Sequence, residues 1–279
     1  MKAIQTFFAT LLLGSFFTAS AQTDSTKKIK PKVKLSLNYN TGLNYYGRTD
    51  SLKSSGFFPL AELWITPTFY VNAAPIFVNN PLQRFEYAGS VATIGYQKVT
   101  EKWITGAYLL KPFYKESSEL VQSALKAQSG ANISYLNKYI NLNIGGDVKF
   151  SDKVDFGATG GIDHLIRKRN KDKSVWVFDP GFFVYAGSQN FQRSYYKKNN
   201  TGFLLFPGNN ELVTEEVSQF SILAYEATMP VVYAKNKWTF VATPSYILPQ
   251  NLVTVAGRPD LSERGENMFY ATLTAKYSF

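Results

Sequence analysis

Histidine occurs once in this 279-residue chain, at His164, and cysteine does not occur. One imidazole limits the nucleophilic chemistry open to the chain, because an attacking serine needs a base within about 3 Å and a third group to orient it. Ser134, Ser151, Asn143 and Asp147 are of suitable type. No spacing ties any of them to His164, and a histidine near a strand end explains the same observation, so no catalytic residue is assigned and the chain is read as a non-enzyme. Without thiolates and with a single imidazole, a transition-metal centre is not expected either, and no metal or cofactor is assigned. Oxygen ligands gather in 257–267, where Arg258 and Arg264 compete with any Ca²⁺ for Asp260, Glu263 and Glu266, and the spacing is not that of an EF-hand. A salt-bridged loop is the expectation there. The glycines at 145–146, 157 and 160–161 are followed by no helix and so match no phosphate cradle; they relieve crowding or bend strands.

The polar residues with a more informative arrangement are those that alternate with apolar ones. From Val33, the residues Val33, Leu35, Leu37, Tyr39, Leu43 and Tyr45 share one parity, and Lys34, Ser36, Asn38, Asn40, Gly42 and Asn44 the other. Period-2 alternation marks a strand with one greasy and one wet face. In 139–150, Ile140, Leu142, Ile144, Val148 and Phe150 oppose Asn141, Asn143, Asp147 and Lys149; in 154–166, Val154, Phe156, Ala158 and Ile162 oppose Asp155, Thr159 and Asp163. Charges repeated along one strand face suit a polar lumen and not a soluble sandwich core. Lys34, Asn38, Asn40, Asp147, Lys149, Asp155, Asp163, Glu226 and Lys276 are therefore expected to project inward, where they line an aqueous path or pair and close the interior.

The last eleven residues alternate to the end: Phe269, Ala271, Leu273, Ala275, Tyr277 and Phe279 against Tyr270, Thr272, Thr274, Lys276 and Ser278. A final strand ending on Phe279 with Tyr277 two residues earlier resembles the C-terminal insertion signal of Gram-negative outer-membrane β-barrel proteins. The resemblance implies export, insertion by the barrel assembly machinery and an outer-membrane location in contact with lipid. It transfers no catalytic or ligand residue.

Composition agrees with that reading. Aromatic residues make up 16% of the chain, and aromatics suit both strands and membrane interfaces. Residues 1–21 read as a cleaved signal peptide, with Lys2 ahead of an apolar Phe7 to Phe17 and Ala19-Ser20-Ala21 before Gln22. Residues 22–32 then form a polar periplasmic lead-in and 33–279 the barrel. The net charge of +10 lies in Lys27 to Lys32 and Arg167 to Lys173, and in no nucleic-acid-binding signature. These runs are read as solvated linker and turn, or as contacts to anionic headgroups.

Eleven alternating segments can be counted. Bacterial single-chain barrels have an even number of strands, so one strand is missing from the count, either in Ser117–Ala127 or by division of 57–78 at Pro67. The expected fold is all-β, an up-and-down transmembrane antiparallel barrel of twelve strands, with ten as the alternative, in a monomer. Strand prolines Pro67, Pro112, Pro180, Pro230 and Pro244 are placed at bulges or strand ends, because Pro donates no ladder bond. The segments 47–55, 188–216 and 257–267 are expected to be extracellular loops, and 137–138, 167–173 and Lys235–Lys237 periplasmic turns. The leading functional expectation is a small pore for a small solute. The alternative is a closed barrel that binds a partner through Phe191, Tyr195, Tyr196, Phe203 and Phe206 of 188–216, and a remote one is a lipid-modifying barrel enzyme using His164.

Overall fold

In a computed structural model the described residues are 30–49, 52–82, 84–115, 125–151, 154–188, 220–252 and 262–279. The segments expected to be a signal peptide (1–21) and a lead-in (22–32, up to residue 29), and 188–216 beyond Ser188, lie outside them. Seventeen strand segments follow one another: β1 (Lys32–Asn40), β2 (Asn44–Tyr45), β3 (Arg48–Thr49), β4 (Ser55–Trp64), β5 (Phe69–Asn79), β6 (Glu86–Val99), β7 (Trp103–Tyr114), β8 (Ala127–Tyr135), β9 (Asn141–Phe150), β10 (Val154–Asp163), β11 (Ile166–Arg169), β12 (Val175–Phe178), β13 (Gly181–Gly187), β14 (Ser221–Thr228), β15 (Val231–Lys235), β16 (Trp238–Pro249) and β17 (Met268–Ser278). β2 and β3 form a separate small hairpin. The rest make one antiparallel sheet that closes where β1 pairs with β17, from Lys34 opposite Ser278 to Asn40 opposite Thr272.

β10 and β11, β12 and β13, and β14 and β15 are consecutive halves of three wall strands, so the closed barrel has twelve strands. The extra strand comes from the division at Pro67, which lies in the turn between β4 and β5. Both faces of 57–64 carry apolar residues, which is why alternation alone gave no boundary there.

The prolines are accommodated by local losses of the ladder. Pro59 and Pro75 fall in a gap of β4–β5 pairing between Phe57–Phe77 and Ala61–Ala73, so two residues without N–H groups face each other. Pro112 lies past Leu110, where pairing with β8 stops. Pro180 and Pro230 sit in the breaks of their strands, and their carbonyls still accept bonds from His164 N and Asp179 N at 3.0 Å. Pro244 departs from expectation, since it occupies the middle of β16. It is tolerated where β16 changes partner from β15 to β14, and its carbonyl accepts Met229 N at 3.0 Å.

Two other boundaries differ. Residues 167–169, expected in the turn 167–173, belong to a strand, Ile166–Arg169, that pairs with β12. The first strand stops at Asn40, because Asn40 Oδ1 accepts Gly42 N at 2.9 Å and turns the chain; Leu43 and Tyr45, expected on the outer greasy face, are buried inside the barrel.

The exterior is apolar. Val33, Leu35, Leu37 and Tyr39 of β1 are 37–53% exposed, and Leu142, Ile144, Phe156, Phe240 and Leu273 continue the surface. Aromatic contacts gather at both rims. At the short-turn end Phe69 meets Tyr96, Trp103 meets Tyr135 and Trp238 meets Tyr277, at ring separations of 5.1, 4.9 and 4.9 Å. At the long-loop end Phe57 meets Phe77 and Phe85, and Phe77 meets Tyr87. An apolar band between two aromatic girdles is the outer surface of a barrel built to sit in a bilayer.

Candidate functional site: the barrel interior

Side chains alternate across each strand, so the parity opposite the exposed apolar row turns into the barrel. Lys34, Asn38, Asn40, Asp147, Lys149, Asp155, Asp163, Glu226 and Lys276 all lie on that parity, and each has a partner. Lys34 Nζ stands 4.2 Å from the Trp64 ring centre. Asn38 donates to Phe58 O at 2.9 Å and accepts from Thr274 at 2.8 Å; Asn40 donates to Thr272 Oγ1 at 3.3 Å. Lys276 Nζ pairs with Glu62 Oε1 at 2.7 Å, and Lys149 with Asp147 on its own strand. Asp155 accepts Ser188 Oγ at 2.5 Å, and Glu226 accepts the hydroxyls of Tyr185, at 2.7 Å, and Tyr270. Asp163 accepts Asn141 Nδ2 and Asn143 Nδ2, each at 2.5 Å.

The segment after β1 fills much of the long-loop end. Leu43 joins an interior apolar cluster of Phe58, Ile76, Val78, Ala88, Val91 and Leu110 on β4–β7. Tyr46 packs on a second cluster of Phe183, Tyr185, Leu223, Ala224, Ile247 and Tyr270 on β13–β17, its ring 5.0 Å from that of Tyr185. Arg48 at the hairpin tip is fully buried. Its guanidinium donates to Glu263 Oε2, Leu223 O and Gln250 O, each at 3.0 Å, and to Tyr46 O at 3.2 Å. A planar fork with five N–H donors can hold several acceptors at once, which a lysine cannot. The loop 257–267 thus does hold a salt bridge, but through Glu263 to the inward hairpin; Lys53 and Glu266 form a second, exposed pair at 2.6 Å.

The wall formed by β8, β9 and β10 is different. Its inward residues form cross-strand rows: Gln128, Lys149 and Asp155; Gly130, Asp147 and Gly157; Asn132, Gly145 and Thr159; Ser134, Asn143 and Gly161; then Asn141 and Asp163. The three central rows, apart from Ser134, retain partial solvent exposure. Three of its inward glycines are covered by neighbouring side chains, Gly130 by Tyr108, Gly157 by Asp147 and Gly161 by Phe183, and Gly145 is left open. A Cβ at Gly145 would meet nothing nearer than 3.5 Å, whereas at Gly161 it would lie 2.2 Å from the Phe183 ring.

His164 is exposed on the outer face, with Nδ1 2.5 Å from the Tyr139 carbonyl oxygen. Ser134 bonds Asn143 at 2.6 Å inside the barrel, on the other side of the wall. Glu62, Arg48, Tyr185, Asp179 and Glu263 belong to the interior but were not singled out by alternation. Glu62 shares its face with Phe58 and Leu60, and nothing in the order of residues says that the segment 41–49 turns inward.

No family model matches the chain, and no curated protein matches it by sequence. Among solved structures the chain is similar to an outer membrane channel from Pseudomonas putida F1, with 10% identity over 92% of this chain and 100% of that one and a TM-score of 0.45. It is similar to the NanC porin, with 12% identity, 88% and 98% coverage and a TM-score of 0.42. It is also similar to LpxR from Salmonella typhimurium, with 8% identity, 88% and 99% coverage and a TM-score of 0.41.

Proposed function

We propose that this chain is an exported outer-membrane barrel that passes small polar solutes along the β8–β10 wall. The observation that carries this reading is the uninterrupted run of polar and glycine rows from Lys149 and Asp155 to Asn141 and Asp163, with partly exposed positions in its centre. The Arg48 hairpin fills the long-loop end of the lumen, with Tyr45 and Tyr46 close to Asp147 and Lys149 of this wall, and sets the bore at that end. Mixed charges within the path, Asp147 beside Lys149 and Asp155 next along the row, argue for small polar solutes over a strong preference for one sign of charge. Tyr277 and Phe279 on the last strand serve insertion by the barrel assembly machinery, and the protein works as a monomer surrounded by outer-membrane lipid.

Planar-bilayer recording of the refolded protein tests the proposal. Discrete conductance steps are expected, and steps that shrink in Gly145→Leu place the path along this wall. Silence in every salt condition would remove the pore reading. It would favour a closed barrel with a surface-binding role, for which the filled long-loop end is the specific support.

A further inference from the structure

From β12 across to β1 the outer face of the barrel is not flush: it carries an open groove of about 460 Å³, lined almost wholly by apolar atoms. Strand pairing shows how the groove is built. Trp176, Tyr233, Phe240, Ala275 and Leu37 stand opposite one another on successive strands and form one cross-strand row, and Val231, Ala242, Leu273 and Tyr39 form the next row toward the long-loop end. All of them line the groove. The rings of Trp176 and Tyr233, 4.8 Å apart, raise one side, while Ala242 and Ala275 contribute only a methyl each and form the floor.

Strands of a barrel tilt against its axis, so a row perpendicular to them climbs the wall. The row that holds Trp176 starts at the short-turn end, where Lys168 of β11 is paired with Trp176, and rises to Leu37 in the middle of β1. Directly paired residues of antiparallel strands share a face, so Lys168 heads the groove. β10 loses β9 as a neighbour at Asp163, which leaves β11 a free edge at the rim. Lys168 is exposed there, and its ammonium has no ion-pair or hydrogen-bond partner among the described residues. The same hairpin exposes Arg167, Arg169, Lys171 and Lys173 against Asp172 alone, and Asp172 is taken by Lys235 at 2.9 Å.

A bilayer covers an apolar groove with hydrocarbon, and a rim of cations beside aromatic rings lies at the level of headgroup phosphates. The charge of the hairpin selects among headgroups: a zwitterionic one brings its own cation to this rim, an anionic one does not. We propose that Lys168 and the groove form a binding site for an anionic glycerophospholipid of the periplasm-facing leaflet, with the phosphate at Lys168 and one acyl chain over Ala242 and Ala275. The site rests on the reading of this chain as an outer-membrane barrel and not on conduction, so a barrel that is silent in bilayers still binds the lipid.

Brominated acyl chains quench tryptophan fluorescence on contact, which allows the occupant to be read at Trp176. The refolded full chain is inserted into phosphatidylcholine vesicles that contain brominated phosphatidylglycerol or brominated phosphatidylcholine at one mole fraction, and the Trp176 signal is the difference from Trp176→Phe. Stronger quenching by the anionic lipid is expected, and salt should weaken it. Lys168→Gln should lower that preference about fivefold. Lys98→Gln, which changes an exposed lysine of β6 at the same rim, should leave it unchanged. Ala242→Leu fills the floor and should lower the preference by displacing the chain, which gives a second variant if Lys168→Gln folds poorly. Equal quenching of Trp176 by the two lipids, or a loss in Lys98→Gln as large as in Lys168→Gln, would overturn the site. Quenching of Trp238 but not of Trp176, together with a dimer in detergent that Ala242→Leu separates, would give the groove to a second copy of the chain and overturn it too. No quenching of any tryptophan by either lipid would fail the membrane reading itself, and the proposal with it.

Discussion

The barrel encloses two unlike interiors. Along β4–β7 and β13–β17 the lumen is packed as a soluble core is packed, by Leu43, Phe58 and Leu110 on one side and Tyr46, Phe183 and Tyr270 on the other. Along β8–β10 the inward positions are polar or glycine, and those in the central rows other than Ser134 stay partly exposed. All three β8–β10 strands keep the same apolar exterior as the others, so the bilayer-facing requirement is met identically. The difference lies wholly on the inner face, where a closed barrel leaves sequence free to choose between core and channel. The twelve-stranded wall thus fixes the diameter, and the residues inside it fix how much of that diameter is used.

That contrast can be broken most severely at Arg48. Removing the guanidinium in Arg48→Ala takes the ion-pair partner from buried Glu263 and one donor from each of three carbonyls, a loss of about 3–5 kcal/mol by comparison with other broken buried pairs. The hairpin should leave the lumen, which denaturant unfolding reads as lower stability and bilayer recording as a larger conductance step. Leu43→Ala attacks the packed interior more mildly, removing one side chain from the β4–β7 cluster at a cost of about 2–3 kcal/mol. Thr159→Ala on the open wall, which removes no packed contact of that kind, should stay within about 0.5 kcal/mol in the same unfolding experiment.

Glycine substitutions sharpen the comparison within the open wall itself. A Cβ at Gly145 makes only ordinary contacts, so Gly145→Leu should narrow the path while unfolding like wild type. Gly161→Leu collides with the Phe183 ring and the Phe182 carbonyl and should fold poorly. The smallest effect is expected outside the wall, at Asp172. Hydrogen bonds from Ser174, and then Lys235, hold its carboxyl below the usual carboxylate range. A depressed folded-state value means that the contribution is present above the ordinary carboxylate pKa and fades as pH falls through the acid range. Since the pair is exposed and screened by salt, Asp172→Asn should only slightly flatten the acid limb of a stability profile measured at low ionic strength.

How much of this could be read from residue order varies with the physics involved. Alternation placed the nine polar residues on one parity, because a strand's geometry enforces it over any tertiary preference. The even-number rule recovered the strand hidden by Phe58 and Leu60, which make both faces of β4 apolar. Pro180 and Pro230 marked the breaks in two wall strands, since neither can donate to a ladder. The inward hairpin was not legible. Leu43 and Tyr45 continue the parity of β1, and the turn at Asn40 and Gly42 that reverses their meaning is a local hydrogen bond with no periodic signature. Arg48 finds Glu263 across 215 residues of chain, a separation over which no spacing rule reaches. Asp179 was missed because it stands in a break, where alternation gives no face.

The natural absence of cysteine allows the central claim to be tested residue by residue. Gly145→Cys and Thr159→Cys would sit on the open wall, and Thr243→Cys and Ser245→Cys, where the native residues are 4% and 1% exposed, on the packed one. In the refolded, membrane-inserted protein a water-soluble, charged thiol reagent should label the first pair rapidly and lower the current stepwise, while the second pair stays unmodified. Labelling of the packed wall with silence at Gly145→Cys and Thr159→Cys would contradict the division of the lumen proposed here.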